Sequence, residues 1–198
     1  MSVFVATGAD AKTMNTSATG GNYDWLRLKD GEKKRVMFLT GTEKFASYYA
    51  HNDFQRKINT HACMAPTGQS CPSCEAGIPR RLQTIVLFWD IDEEKILVWD
   101  TVKKHMNAVY SKIDEYPEDY LDMAFTIKRI GGGNQTAYDM SPILRLKPEE
   151  KERADKRDGA EIPELDKLVN VKTPEELRQM LAGIISDSEL PSTPEAEF

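Results

Sequence analysis

The chain has 198 residues, 40% hydrophobic and 29% charged, with a formal net charge of −6, enough to bury one substantial core. No apolar run approaches the roughly 20 residues that span a bilayer, and Met1–Gly20 lacks the charged and apolar regions of a secretory leader, so the expected setting is a reducing cytoplasm with no membrane partner. The acidity is uneven: residues 1–147 carry 19 Lys and Arg against 18 Asp and Glu, whereas residues 148–198 carry 7 against 14, which leaves the body of the chain able to meet an anionic partner.

Residues 1–21 are rich in Ala, Thr, Ser and Gly and are expected to form a flexible arm. Order is expected from Tyr23-Asp24-Trp25-Leu26, with a turn at Asp30-Gly31 leading into a strand over 33–39. A second β-rich run, 45–49, ends near His51, and residues from about 48 to 79 read as a loop subdomain broken by Pro66, Gly68, Pro72, Gly77 and Pro79. The strongest strand is 80–91, with a turn at 92–95 into 96–99. Val102, Met106, Val109 and Ile113 share one helical face, predicting a helix over 101–115 that Pro117 limits. Strands over 124–130 and 136–140 flank a turn at Gly131-Gly132-Gly133-Asn134. For residues 22–147 the pattern predicts a mainly β fold, with a five-stranded OB-type β-barrel suiting the strand count and an open antiparallel sheet covered by the helix as the alternative. Residues 148–185 read as a charged segment followed by an amphipathic helix, which a capping box at Thr173-Pro174-Glu175-Glu176 opens and Leu177, Met180, Leu181 and Ile184 stripe. Residues 186–198 read as an acidic disordered tail.

All three cysteines and two of the three histidines fall in the loop subdomain, in the order His51-x11-Cys63-x7-Cys71-x2-Cys74. Thiolate and imidazole are the donors Zn2+ prefers, and four protein donors close a tetrahedral shell that holds structure rather than activating water. His51 is the favoured fourth ligand. His61 is the alternative, cramped by standing two residues from Cys63, and His105 reads as a surface residue of the helix. A redox pair would open a helix, whereas Glu75–Pro79 reads as loop; an odd cysteine count argues against a disulfide framework.

The chain resembles the single-stranded DNA-binding proteins of tailed phages, of the gene-32 type. The resemblance runs over about residues 23–145: Trp25-Leu26-Arg27-Leu28, Arg35-Val36-Met37-Phe38-Leu39, Phe45, the His51–Cys63–Cys71–Cys74 order, Ile85-Val86-Leu87, Lys95-Ile96, Lys103-Lys104 and the 128–138 hairpin. It implies an OB-fold with a zinc-stapled lobe that binds unpaired strands in replication, recombination or repair without catalysis. It also implies an acidic tail (Asp187, Glu189, Glu195, Glu197 and Phe198) that recruits other replication or recombination proteins, and some self-association. The chain departs from the family's best-studied type at its start, where residues 1–21 hold Lys12 alone in place of a basic, cooperative arm.

Binding single strands without sequence preference needs cations for phosphates and flat side chains for bases. The cations expected to serve are Lys33, Lys34, Arg35, Arg80, Arg81, Lys128 and Arg129; the stacking platforms are Tyr48, Tyr49, Phe54, Trp89, Trp99 and Tyr138, with Phe38, Phe88 and Phe125 assigned to the core. A zinc-stapled protein–protein adaptor is the alternative function. An enzyme is disfavoured: Asp90, Asp92, Glu93 and Glu94 read as a turn, and Gly131-Gly132-Gly133 lacks the Lys-Ser/Thr of a phosphate loop.

Overall fold

A computed structural model describes residues 23–188. The expected arm, and Glu189, Glu195, Glu197 and Phe198 of the expected tail, lie outside the described residues. In chain order the main elements are β1 (Tyr23–Trp25), β2 (Lys33–Phe38), β3 (Ala46–Asp53), β4 (Ile58–Ala62), α1 (Pro72–Glu75), β5 (Arg80–Asp90), β6 (Lys95–Val102), α2 (Lys103–Glu115), β7 (Ala124–Ile130), β8 (Ala137–Ile143), α3 (Pro148–Asp155), α4 (Leu165–Leu168) and α5 (Pro174–Ser188). Asp187, expected to be in the disordered tail, therefore stands in the last turn of a helix. None of the helices is long and apolar enough to cross a membrane among the described residues.

The protein is mainly β, with eight strands in a mixed sheet whose main path is β1-β6-β5-β2-β7-β8. The β1–β6 pair is parallel, while β2–β5, β2–β7 and β7–β8 are antiparallel. The path ends at β1 and β8 and is open. No closed barrel of the expected kind forms, because β1 adds a parallel edge to β6 while the β7–β8 hairpin takes the other edge.

The chain divides into two compact units, residues 23–46 with 84–164 and residues 47–83 with 165–188. The first is built on strand alternation. Val36 and Phe38 point to one face with Phe88, Trp99, Phe125 and Ile127, and α2 covers it with Met106 and Val109. Met37 points to the other with Trp89, Ile91 and Ala124, where Ala154 of α3 packs. Burial on both faces explains the unbroken apolar run Ile85–Trp89. The stretch expected to be a solvated charged segment is thus partly structural.

Two predicted stacking platforms, Trp89 and Trp99, belong to this core instead. Trp89 is 5% exposed and its indole N–H donates to the Arg153 carbonyl; Trp99 is 2% exposed, between Phe88 and Tyr138. Neither ring has a free face to offer a base. Each lies on a strand buried on both sides, so its aromatic area goes into packing.

The second unit carries β3 and β4 as an antiparallel pair, with Ala50 opposite Ala62, His51 opposite His61, and a bulge between His51 and Asp53. Ile58 is its only large apolar strand residue on β4, which is why that strand is silent in the sequence pattern. The capping box at Thr173 forms: its N–H donates to the Glu176 carboxylate, and the Glu176 N–H donates to its hydroxyl. Leu177, fully buried, then packs with Cys63, Met64 and Cys71, and Met180 lies against them. Asn170 ties the same segment to β4, its carbonyl accepting from the Ala62 N–H and its amide donating to the Thr60 carbonyl, each at 2.8 Å.

Candidate metal centre

Two strands and one tight turn position the four sequence-predicted donors. His51 stands on β3. Cys63 follows β4 directly, and its N–H donates to the Tyr49 carbonyl at 2.7 Å, so the ladder carries the sulfur to the same end as the imidazole. Cys71 is the N-cap of α1 and Cys74 its third residue, in a single turn that Pro72 opens. Here the residues expected to be loop include one helical turn. The Gly77 N–H closes on the Cys74 carbonyl at φ +70°, a conformation that costs a glycine little, and the Ile78 N–H returns to the Ser73 carbonyl.

The four donor atoms all lie within 4.8 Å of one another. Cys63 Sγ and Cys74 Sγ are 3.5 Å apart, and His51 Nε2 is 3.4 Å from Cys74 Sγ and 3.7 Å from Cys71 Sγ. A tetrahedral zinc shell with sulfur and nitrogen donors has edges of about 3.5–3.8 Å. The donor set fits the ion.

The surroundings prepare the same ligation. His51 Nδ1 lies 2.9 Å from the Ile78 carbonyl, so that nitrogen carries the proton as donor and Nε2 turns its lone pair toward the sulfurs. His61, the alternative ligand, is directed elsewhere. Its Nδ1 is 2.9 Å from the Asn59 carbonyl, to which it donates, and its Nε2 accepts from the Ser73 hydroxyl at 2.8 Å. Its ring stacks on His51 at 5.6 Å between centroids, and burial, with the neighbouring His51 and Lys172, holds its pKa below the ordinary value. His61 is therefore a neutral brace that pins the cysteine turn to β4.

Sulfur electrostatics call for a cation. Burial pushes the Cys74 thiol up, with the Cys63 and Cys71 sulfurs adding to it, to about 12. Burial opposes ionisation of Cys71 as well, but hydrogen bonds from the backbones of Met64, Cys74 and Ser73 outweigh it and lower that thiol. Ionised sulfurs this close repel one another, and a bound cation offsets that repulsion.

The predicted nucleic-acid residues separate into two groups. Several are committed to the protein's own structure. Lys34 pairs with fully buried Asp90 and with Glu93, and Arg35 pairs with Asp92 and Glu150. Arg129 donates to the Leu28 carbonyl and the Thr136 hydroxyl, and Tyr138 packs edge-on against Trp99 and His105. His105 is half-buried, its ring nitrogen 3.0 Å from the Thr101 hydroxyl, and not the surface residue expected.

The others lie wholly or partly at the surface. Lys33 and Lys128 are exposed cross-strand neighbours. Tyr48 is half-buried on β3. Arg81 is exposed, and the Arg80 guanidinium lies 4.7 Å above the ring of Tyr49, itself 40% exposed. Sequence reasoning missed Arg56 and Lys57, exposed at the β3–β4 turn beside Phe54; the cue was the Gln55-Arg56-Lys57 run, unread because β4 was unread. No family model, curated protein or solved structure matches this chain.

Proposed function

We propose that this protein is a sequence-nonspecific binder of single-stranded DNA whose smaller unit is braced by structural Zn2+ held by His51, Cys63, Cys71 and Cys74. The observation that carries the reading is the exposed Tyr49–Arg80 pair with Arg81 beside it. A guanidinium layered on a phenol ring offers a phosphate partner and a flat surface together, the combination that unpaired strands need. The surrounding stretch favours anions: residues 47–83 carry Arg56, Lys57, Arg80 and Arg81 against only Asp53 and Glu75.

When bound, the metal would supply structure alone, since four protein donors leave it no open coordination position. The chain's own residues do the binding. Lys33 and Lys128 on β2 and β7 are further candidates for phosphate contact. In this reading the open sheet serves as an OB-type platform, the protein acts in replication, recombination or repair, and its acidic tail recruits other proteins.

The test is fluorescence anisotropy of a labelled oligo-dT across a salt series. Intrinsic tryptophan quenching is a poor probe of this pair, because Trp89 and Trp99 are buried and half-buried Trp25 belongs to the first unit. The reading expects binding that weakens steeply as salt rises, and a loss of about five-fold or more in Arg80→Ala. An adaptor that touches only proteins would give no salt-sensitive binding.

A further inference from the structure

We infer that the tip of the β3–β4 hairpin, Phe54-Gln55-Arg56-Lys57, is a second contact for the unpaired strand, with Phe54 stacking on a base and Arg56 and Lys57 meeting phosphates. The inference rests on the single-strand reading above and adds a place where the strand is held.

The tip has a fixed shape. One carboxylate oxygen of Asp53 accepts from the Gln55 and Arg56 N–H groups, each at 3.2 Å, and the Lys57 N–H donates to the Phe54 carbonyl. Lys57 takes the left-handed conformation, φ +58°, to re-enter β4. The base of the hairpin is pinned as well: His51 on one strand and Cys63 just past the other belong to the same four-donor cluster. The projection is a finger clamped at its root, not a fraying loop.

What the finger presents is specific in kind. Phe54 is 71% exposed. A lone exposed apolar residue needs no explanation, but here two cations flank it. Lys57 has no ion pair among the described residues. Among the described residues Arg56 pairs with Asp53 alone, at 3.5 Å with its side chain 59% exposed, a contact that water screens and a phosphate can replace. Arg56 and Lys57 are also not neutralised from β4, whose residues Ile58–Ala62 hold no carboxylate. An exposed, cationic tip with one free ring suits a flexible polyanion, since every base has a face to stack and no complementary groove is required. A protein hot spot of the same ring would more commonly be met at the centre of a well-packed interface.

The experiment uses the full chain with labelled oligo-dT, comparing wild type with Phe54→Ala, Phe54→Trp and the double variant Arg56→Ala/Lys57→Ala. The substituted side chains are exposed, and unchanged metal content verifies folding. Phe54→Ala should weaken binding about ten-fold, while Phe54→Trp restores affinity and its emission is quenched by unlabelled oligo-dT. The double variant should flatten the slope of log affinity against log salt by about 1.4, two phosphates at about 0.7 each. If the wild type binds oligo-dT and all three variants bind as it does, with the emission of the Phe54→Trp variant unmoved at saturation, the finger is not a contact and the broader reading stands. If the wild type binds no oligo-dT, both fall together; a finger that instead docks a protein would leave oligo-dT binding untouched, which also overturns the inference.

Discussion

The two units reach order by different routes. The first buries a large two-faced apolar core, with Phe38, Phe88, Trp99, Phe125, Ile127 and Met140 all shielded from water. The second buries fewer apolar side chains, Ile58, Ile78, Leu168 and the small cluster of Cys63, Met64, Cys71 and Leu177 with Ala65 and Met180 beside it, and polar donors add to its cohesion: His51, His61, Ser73 and the three sulfurs. A small unit that cannot build a sufficient core gains order from a metal or a cross-link. The difference also sorts side chains for function. Where packing is dense, Trp89, Trp99, Lys34 and Arg35 are taken up by internal partners; on the smaller unit Tyr49, Phe54, Arg56, Arg80 and Arg81 stay exposed.

Removing a ligand should break this comparison hardest. All three tryptophans, Trp25, Trp89 and Trp99, lie in the first unit, so their emission reports it alone. In Cys71→Ser the metal is lost and residues 47–83 and 165–188 become susceptible to limited proteolysis, while tryptophan emission is preserved. Structural zinc contributes on the order of 10 kcal/mol to small metal-folded domains, more than the apolar cluster here can replace. A concerted loss of tryptophan signal would show that the units do not order independently.

Leu177→Ala tests the apolar share of the second unit. The side chain is fully buried against Cys63, Met64 and Cys71, so truncation should cost about 2–5 kcal/mol. Hydrogen exchange should rise over α5 and over the sulfur-bearing turn together, with the β2–β7 ladder unchanged. Exchange confined to α5 would mean that the helix merely rests on the lobe.

Acid sharpens the contrast more gently. The folded pKa of His61 is lowered, so the unfolded chain takes up that proton first; its contribution is present above the ordinary histidine value of about 6.5 and is lost as pH falls below it. Protonation of the sulfur ligands acts in the same direction. In the first unit, bonds from Lys95 and Lys34 hold the Glu93 carboxyl at about 2, so its stabilisation is present above the ordinary carboxylate value and is lost only as pH falls toward 2. His105 of the first unit is lowered chiefly by burial too, so the histidines alone do not separate the units and the sulfur ligands do: proteolysis at pH 5.5 should cut the second unit before the first.

The first unit was largely legible because its signals are periodic. Val36 and Phe38 alternate with Met37, and Val102, Met106, Val109 and Ile113 repeat at helical spacing. The donor set was legible from cysteine spacing, and the choice of His51 agrees with where Nε2 points. What escaped was whatever depends on tertiary partners. β4 is stabilised by its pairing with β3 and by Asn170 rather than by its own composition. Lys34 and Arg35 look like free cations until Asp90, Asp92 and Glu150 arrive from distant sequence. A strand carries no mark of whether its tryptophan faces water or a helix, so Trp89 and Trp99 misled. The open edge at β1 was hidden because three residues, Tyr23–Trp25, are too few to announce a parallel pairing.

The most direct measurement is the metal content and coordination of the purified chain, by elemental analysis and zinc-edge X-ray absorption under reducing conditions. One zinc per chain in a shell of three sulfurs and one nitrogen, lost in Cys71→Ser and retained in His61→Gln, is the predicted result. Protein free of stoichiometric metal, or a shell with two nitrogens in which His61 replaces a sulfur, would contradict it.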